Sequence, residues 1–301
     1  MKHQVLDVND AANISFVVSQ TAFIEPKVLA KKYPQITYAR DIPVSTAANP
    51  FSTSVTFYST DEVGAAKLIS GRGDDIPMAN ITLAKHDTSV SMAAIGYSFS
   101  LEEVGQAQML NMPLDSMGAN AARMSYERFV DAVAYTGNTQ MGVQGLYNTT
   151  GITTVAAAGL WAGLTVAQIL ADVNTLLSGA WSSSLGIEMP NVLKLPLAVF
   201  AQLASTQLPN TSQTVLDYIL RANVYTASTG QTLQIGADFR LTNRAVAYTK
   251  DPDALVLHVP MALRFLPVQT DGLDYVVPGM FRLAGLDVRR KGALRYMDGV
   301  A

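Results

Sequence analysis

Three histidines, His3, His86 and His258, stand far apart in the chain. No two have the short spacing that lets paired imidazoles hold a metal on one helix face. Each alone reads as structural rather than catalytic. Carboxylate pairs occur at Asp74-Asp75 and Asp251-Pro-Asp253. Such pairs can bind calcium or exchange protons with a substrate. Neither has the repeated oxygen-ligand spacing of a calcium loop, and Asp251-Pro-Asp253 reads as a solvated turn. Ser70-Gly-Arg-Gly-Asp-Asp75 is glycine-rich, but it lacks the Lys-Ser/Thr and helix start that cradle a phosphate. Its Arg72-Gly73-Asp74 matches an adhesion tripeptide, for which chance is the better explanation. With no nucleophile elbow or dinucleotide fingerprint either, we expect no catalytic residue, no cofactor and no metal. Charge gathers instead in two places. One is the segment 59–80, with Asp61, Glu62, Lys67, Arg72, Asp74 and Asp75; the other is the basic run 287–295, with Arg289 and Arg290. These residues are candidate contacts with a neighbouring subunit. For the basic run, a strand with a solvated face is the plainer reading.

The charged segment 59–80 has to be positioned by its flanks. Before it, Phe51-Ser-Thr-Ser-Val-Thr-Phe-Tyr58 puts Phe51, Val55 and Phe57 on one face of a strand. After it, Ser89-Val-Ser-Met92 and Ile95-Gly-Tyr-Ser-Phe99 alternate as the expected return. A hairpin normally turns in roughly two to five residues. The longer excursion reads as an arm lying on a neighbour. Next comes a helix over 114–136, stopped before Gly137. Ser116, Asn120, Arg123, Glu127 and Asp131 form a polar stripe, with Arg123 and Glu127 spaced to pair. The wide apolar remainder implies burial between other elements, along a rod of roughly 33 Å. Further on, the pattern predicts a strand near 152–156, a helix from an N-cap at Thr165 to about Ser178 and a strand over 191–196. A helix over 214–223 and strands over 233–241, 244–249 and 254–259 follow. Strands are also expected within 264–295. Helices and strands in blocks imply an α+β fold with largely antiparallel sheets.

Composition narrows the class. The chain has 301 residues, 49% of them hydrophobic and only 15% charged, against about 25% charged for an ordinary globular chain. So few charges imply extensive burial, in a core or between subunits. A net charge of −3 leaves no basic footprint for gripping nucleic acid. The absence of cysteine excludes disulfides and thiolate metal sites. Residues 149–171 carry no charge, but glycines and threonines interrupt them, so no membrane span is expected. Residues 1–48 contain Pro26, Pro34 and Pro43, with Phe16, Val17, Val18, Phe23 and Ile24 needing cover. They read either as packed on the body or as an arm under a neighbour.

The order of elements resembles the major capsid proteins of tailed bacteriophages, the Hong Kong 97-type fold. Ala94-Ile-Gly-Tyr-Ser-Phe-Ser-Leu-Glu-Glu-Val-Gly-Gln-Ala107, the long helix and Gly145-Leu-Tyr-Asn148 carry the resemblance. It implies an N-arm at 1–48, an extended E-loop hairpin at 49–95 and a peripheral domain at 96–189 whose spine helix is 114–136. An axial domain would occupy 190–255, and strands at 256–301 would return to the peripheral domain. It further implies pentamers and hexamers of identical copies enclosing double-stranded DNA without sequence-specific binding. The expected place is the virion capsid, assembled in the bacterial cytoplasm, with no membrane contact. A separate scaffolding protein, a portal and a decoration protein would be partners; scaffolding could instead have been a cleaved segment. Lys67 could reach a neighbour for a covalent cross-link, but no matching Asn and acidic partner is evident. Two other readings stand beside this one: a cellular encapsulating-shell protein of the same fold, and an α+β ligand-binding protein or enzyme with a mobile lid at 59–80.

Overall fold

The computed structural model describes residues 33–67, 78–110 and 113–301. Ile36–Ala301 form one unit, and every element below lies in it. In chain order these begin with α1 (Tyr38–Asp41), β1 (Val44–Ser45), β2 (Ser54–Val63), β3 (Asn80–Ser89), β4 (Ser91–Ala94) and β5 (Tyr97–Ser100). Next are α2 (Leu101–Leu110), α3 (Leu114–Thr136), β6 (Thr154–Ala156), α4 (Val166–Ser183), β7 (Val192–Pro196), α5 (Leu197–Ser205), α6 (Val215–Ala222) and α7 (Val224–Thr229). The remaining strands are β8 (Gln234–Asp238), β9 (Arg244–Tyr248), β10 (Leu255–His258), β11 (Met261–Phe265), β12 (Gln269–Asp271), β13 (Asp274–Val277), β14 (Gly279–Leu283), β15 (Gly285–Val288) and β16 (Leu294–Asp298).

A mixed five-stranded sheet, ordered β6-β16-β9-β7-β8, separates two cores. Side chains alternate across a strand, and here both faces are covered. Leu193, Leu195, Ala245, Ala247 and Met297 face a core shared with α4, α5 and α6 through Ile169, Val173, Leu177, Val199 and Ile219. Val192, Val246, Tyr248, Leu294 and Tyr296 face the other core, shared with α3 through Tyr126, Val130, Val133 and Ala134. Double burial explains why these strands read as short apolar runs. The core containing α4 also spans the expected boundary at 189/190, and the C-terminal strand β16 belongs to the same sheet.

Helix α3 runs over the residues its pattern predicts. Its second half is buried, while Met117 and Met124 in the first half remain exposed. Near its start Gly118 lets the rings of Tyr97 and Phe99 approach; a Cβ there would lie 2.7 Å from both. The expected polar stripe is not uniformly solvated. Asp131 is buried, and Glu127 accepts a hydrogen bond from Tyr38 Oη rather than pairing with Arg123. Helix α4 begins after a Thr165/Gln168 capping box and extends to Ser183, beyond the expected end.

The hairpin differs from expectation in its return strand. β2 pairs with β3, from Ser54↔Ser89 to Val63↔Asn80, so Asp61 and Glu62 lie within a strand. Neither β4 nor β5 pairs with β2. β4 joins β14 and β5 joins β13, bringing the C-terminal strands back beside the start of α3. The true return strand, Asn-Ile-Thr-Leu-Ala-Lys-His-Asp-Thr-Ser, is exposed on both faces, so burial imposes no alternation that sequence could reveal.

Candidate assembly surfaces

Among the described residues, β2 and β3 form a sheet of two strands. An isolated two-stranded ribbon is marginal in water, and its two edges offer unpaired backbone donors and acceptors. Register places Tyr58, Leu83, Ile81 and Glu62 on one face with Lys85 and Asp87. Tyr58, Ile81 and Leu83 are 65%, 67% and 65% exposed. Covering such side chains stabilises by about 1.5–3 kcal/mol each, so the face is suited to contact another surface. The ribbon is tied to the body at its root. The Arg289 guanidinium lies 5.2 Å from the centre of the Phe57 ring, and Phe57 stacks on His86 at 4.7 Å. Lys85 meets Asp87 at 2.8 Å on the exposed face.

Beside the root of the body, an apolar cavity of about 370 Å³ opens between β5, α2, the start of α3 and β13. Phe99, Val104, Leu114, Val268, Tyr275 and Val277 line it. Exposed Met109 and Leu273 lie on α2 and on the β12–β13 turn.

A buried ionic network that sequence inspection did not find joins the two halves of the fold. Arg240 bonds Asp131 on α3 and reaches Asp238 at 3.0 Å. Its guanidinium also stacks 4.3 Å from the Tyr135 ring. Tyr147 Oη donates to Asp238 at 2.7 Å. The amides of Thr37 and Tyr38 donate to Asp131, fixing α1 to α3. Asp41, at the end of α1, accepts from Lys194 Nζ at 2.5 Å and from Tyr135 Oη at 2.8 Å. Burial would raise the Asp41 carboxyl, but hydrogen bonds from Arg40 and Lys194 outweigh it and hold the group below its ordinary value. The available signal was a lysine in the middle of the apolar run Val-Leu-Lys-Leu-Pro.

The sequence candidates disperse. Asp61 and Glu62 sit near the far end of β2, and their side chains make no ion pair or hydrogen bond among the described residues. Lys67 lies in the connection beyond it. Arg72, Asp74 and Asp75 lie outside the described residues, as do His3 and the apolar residues of 1–32. Arg290 bonds the buried Glu188 at 2.6 Å, and Arg289 lies 3.5 Å from Asp287; both thus have partners within the chain. Among the described residues, no group of acidic and histidine side chains could hold a metal ion, and no helix is long and apolar enough to cross a membrane.

A family model described as "Major capsid protein" matches residues 64–300. The capsid of Myoviridae Phage XM1 superposes with a TM-score of 0.79 at 19% identity, covering 99% of this chain and 100% of that one. The capsid of a native GTA particle gives 0.66 at 10% identity, with 99% and 100% coverage. A virus-like particle from Pyrococcus furiosus gives 0.54 at 12% identity, with 86% and 91% coverage. At these identities the likeness establishes the fold. Comparison with curated protein sequences finds no significant match.

Proposed function

The chain belongs to the major capsid protein family, and from that premise we propose how its copies join. It is a structural subunit of a virion capsid rather than an enzyme, with the α+β, Hong Kong 97-type fold of its structural relatives. Copies of it assemble with one another into shells. In our reading the β2–β3 hairpin is an E-loop that leaves its own subunit and lies across the next. α3 is the spine helix of the peripheral domain. The axial domain is the five-stranded sheet with α4 to α7, whose loops gather around the symmetry axes of pentamers and hexamers. Heterologous contacts of this kind close by rotation into rings. The shell encloses double-stranded DNA without reading its sequence, which the net charge of −3 supports, since a basic wall would hold phosphate. Scaffolding, portal and decoration proteins would be separate partners.

The observation that carries this reading is the two-stranded ribbon, Ser54–Val63 with Asn80–Ser89, which pairs with no other strand among the described residues. Size-exclusion chromatography and electron microscopy of the purified chain test it. Closed shells or capsomer rings are expected, and a stable monomer under all assembly conditions would contradict it. The likeness to the Pyrococcus furiosus particle favours, as a second reading, a shell that encloses something other than a phage genome. Neighbouring portal and terminase genes would decide for the phage.

A further inference from the structure

A cleft of about 180 Å³ lies where α1 meets the edge of the five-stranded sheet. Arg40, Lys194 and Lys250 line it, with Asp41 as the one carboxylate. Lys194 forms the floor, with its side chain only 4% exposed. An ammonium group carries three donors. One goes to Asp41, and the other two find no acceptor among the described residues. Buried donors left without acceptors are costly, about 1–3 kcal/mol each. Space above the floor is kept by Gly236, where a Cβ would stand 3.1 Å from Lys194 Nζ. Arg40 and Lys250 stand exposed at the rim, and the Lys250 ammonium donates, among the described residues, to the Arg40 carbonyl alone. Three cations facing one carboxylate, with spare donors below, form a receptor for a carboxylate from outside the chain.

We propose that this cleft receives an acidic side chain of a second copy, Asp61 or Glu62 near the end of its β2–β3 hairpin. The assignment rests on the reading of the hairpin as an intersubunit arm. Charge complementarity selects the occupant: the two carboxylates hold successive positions of β2, one on each face of a ribbon that pairs with no other described strand, and their side chains have no partner among the described residues. Ten paired residues give the ribbon a reach of about 33 Å.

Charge exchange in the full chain tests the proposal. Lys250→Glu alone, and Asp61→Lys with Glu62→Lys, should each abolish or sharply reduce shells while the subunit still melts cooperatively. Combining all three should restore them. If both parent variants fold and fail to assemble but the combination shows no recovery, or if Lys250→Glu assembles normally, the cleft assignment is overturned. Inorganic phosphate at matched ionic strength should loosen wild-type shells more than chloride does, by competing for the cleft. Phosphate that strengthens them would mean a free oxyanion is the occupant, overturning the assignment. A chain with its hairpin cut back separates the two levels: if it fails to assemble while charge exchange gives no rescue, the arm stands and the cleft falls. If it assembles normally, the arm itself falls.

Discussion

Asn148 Nδ2 donates to the main-chain carbonyl of Thr136 at 2.7 Å, while its Oδ1 accepts from the Gly145 amide at 2.7 Å. A helix ends with four carbonyls lacking intrahelical partners. At the end of α3, Leu146 N donates to Ala134 O at 2.9 Å and Tyr147 N to Tyr135 O at 3.0 Å. The segment Gly145-Leu-Tyr-Asn148 is thus a cap, laid so close that a Cβ at Gly145 would fall 2.3 Å from the Tyr135 backbone. Replacing Asn148 with Ala should destabilise the subunit by about 1–3 kcal/mol, and Gly145→Ala by more, because backbone must shift. Urea denaturation of unassembled subunit checks both; unchanged midpoints would contradict the capping role.

Arg240 stands between two buried carboxylates, Asp131 and Asp238. Its replacement by alanine strands both charges, at a cost of about 3–5 kcal/mol. Arg221, paired with Asp217 on the exposed face of α6, provides the contrast. Arg221→Ala should change stability by less than about 1 kcal/mol. The difference between the two variants, read from denaturation midpoints, measures what the buried network contributes.

Acid should weaken the subunit through its paired carboxylates. Burial opposes ionisation of Asp41, yet Arg40 and Lys194 hold its carboxyl below the ordinary value; hydrogen bonds from Arg244 do the same for Asp298. A depressed folded-state pKa stabilises above the unfolded value, about 3.9 for Asp. That stability is lost as pH falls through the lower folded values. The thermal midpoint should therefore be insensitive to these groups near neutrality and drop below about pH 4. Asp41→Asn should be less stable at neutral pH and show a shallower acid decline. An equal decline in both chains would exclude Asp41 as a contributor.

Patterns set by burial were legible, and an exposed strand and pairings made by tertiary folding were not. α3 was readable because Tyr126, Val130 and Val133 repeat at helical spacing before Gly137. β7, β9 and β10 were readable as short apolar runs because they are buried on both faces. β3 was missed because it is exposed along nearly its whole length, leaving no alternation. Its role passed by default to residues 89–99, whose real partners are almost two hundred residues away in the chain. Pairing of Asp131 with Arg240, and of Asp41 with Lys194, leaves no spacing signal, since tertiary folding alone brings those residues together. The polar stripe of α3 carries no mark that Asp131 is interior. Of the candidate contacts, Asp61 and Glu62 fall on the ribbon, whereas Arg290 serves its own chain through Glu188.

The central claim is that the β2–β3 ribbon joins one subunit to the next. Tyr58 and Lys85 stand opposite each other in its register, so residues 59–84 can be replaced by an Asn-Gly turn suited to a two-residue hairpin. Electron microscopy of this variant, with its melting curve as a control, is the most direct measurement. The expected result is a subunit that melts as the wild type does and forms no stable shells. Shells of normal number and unchanged thermal stability would contradict it.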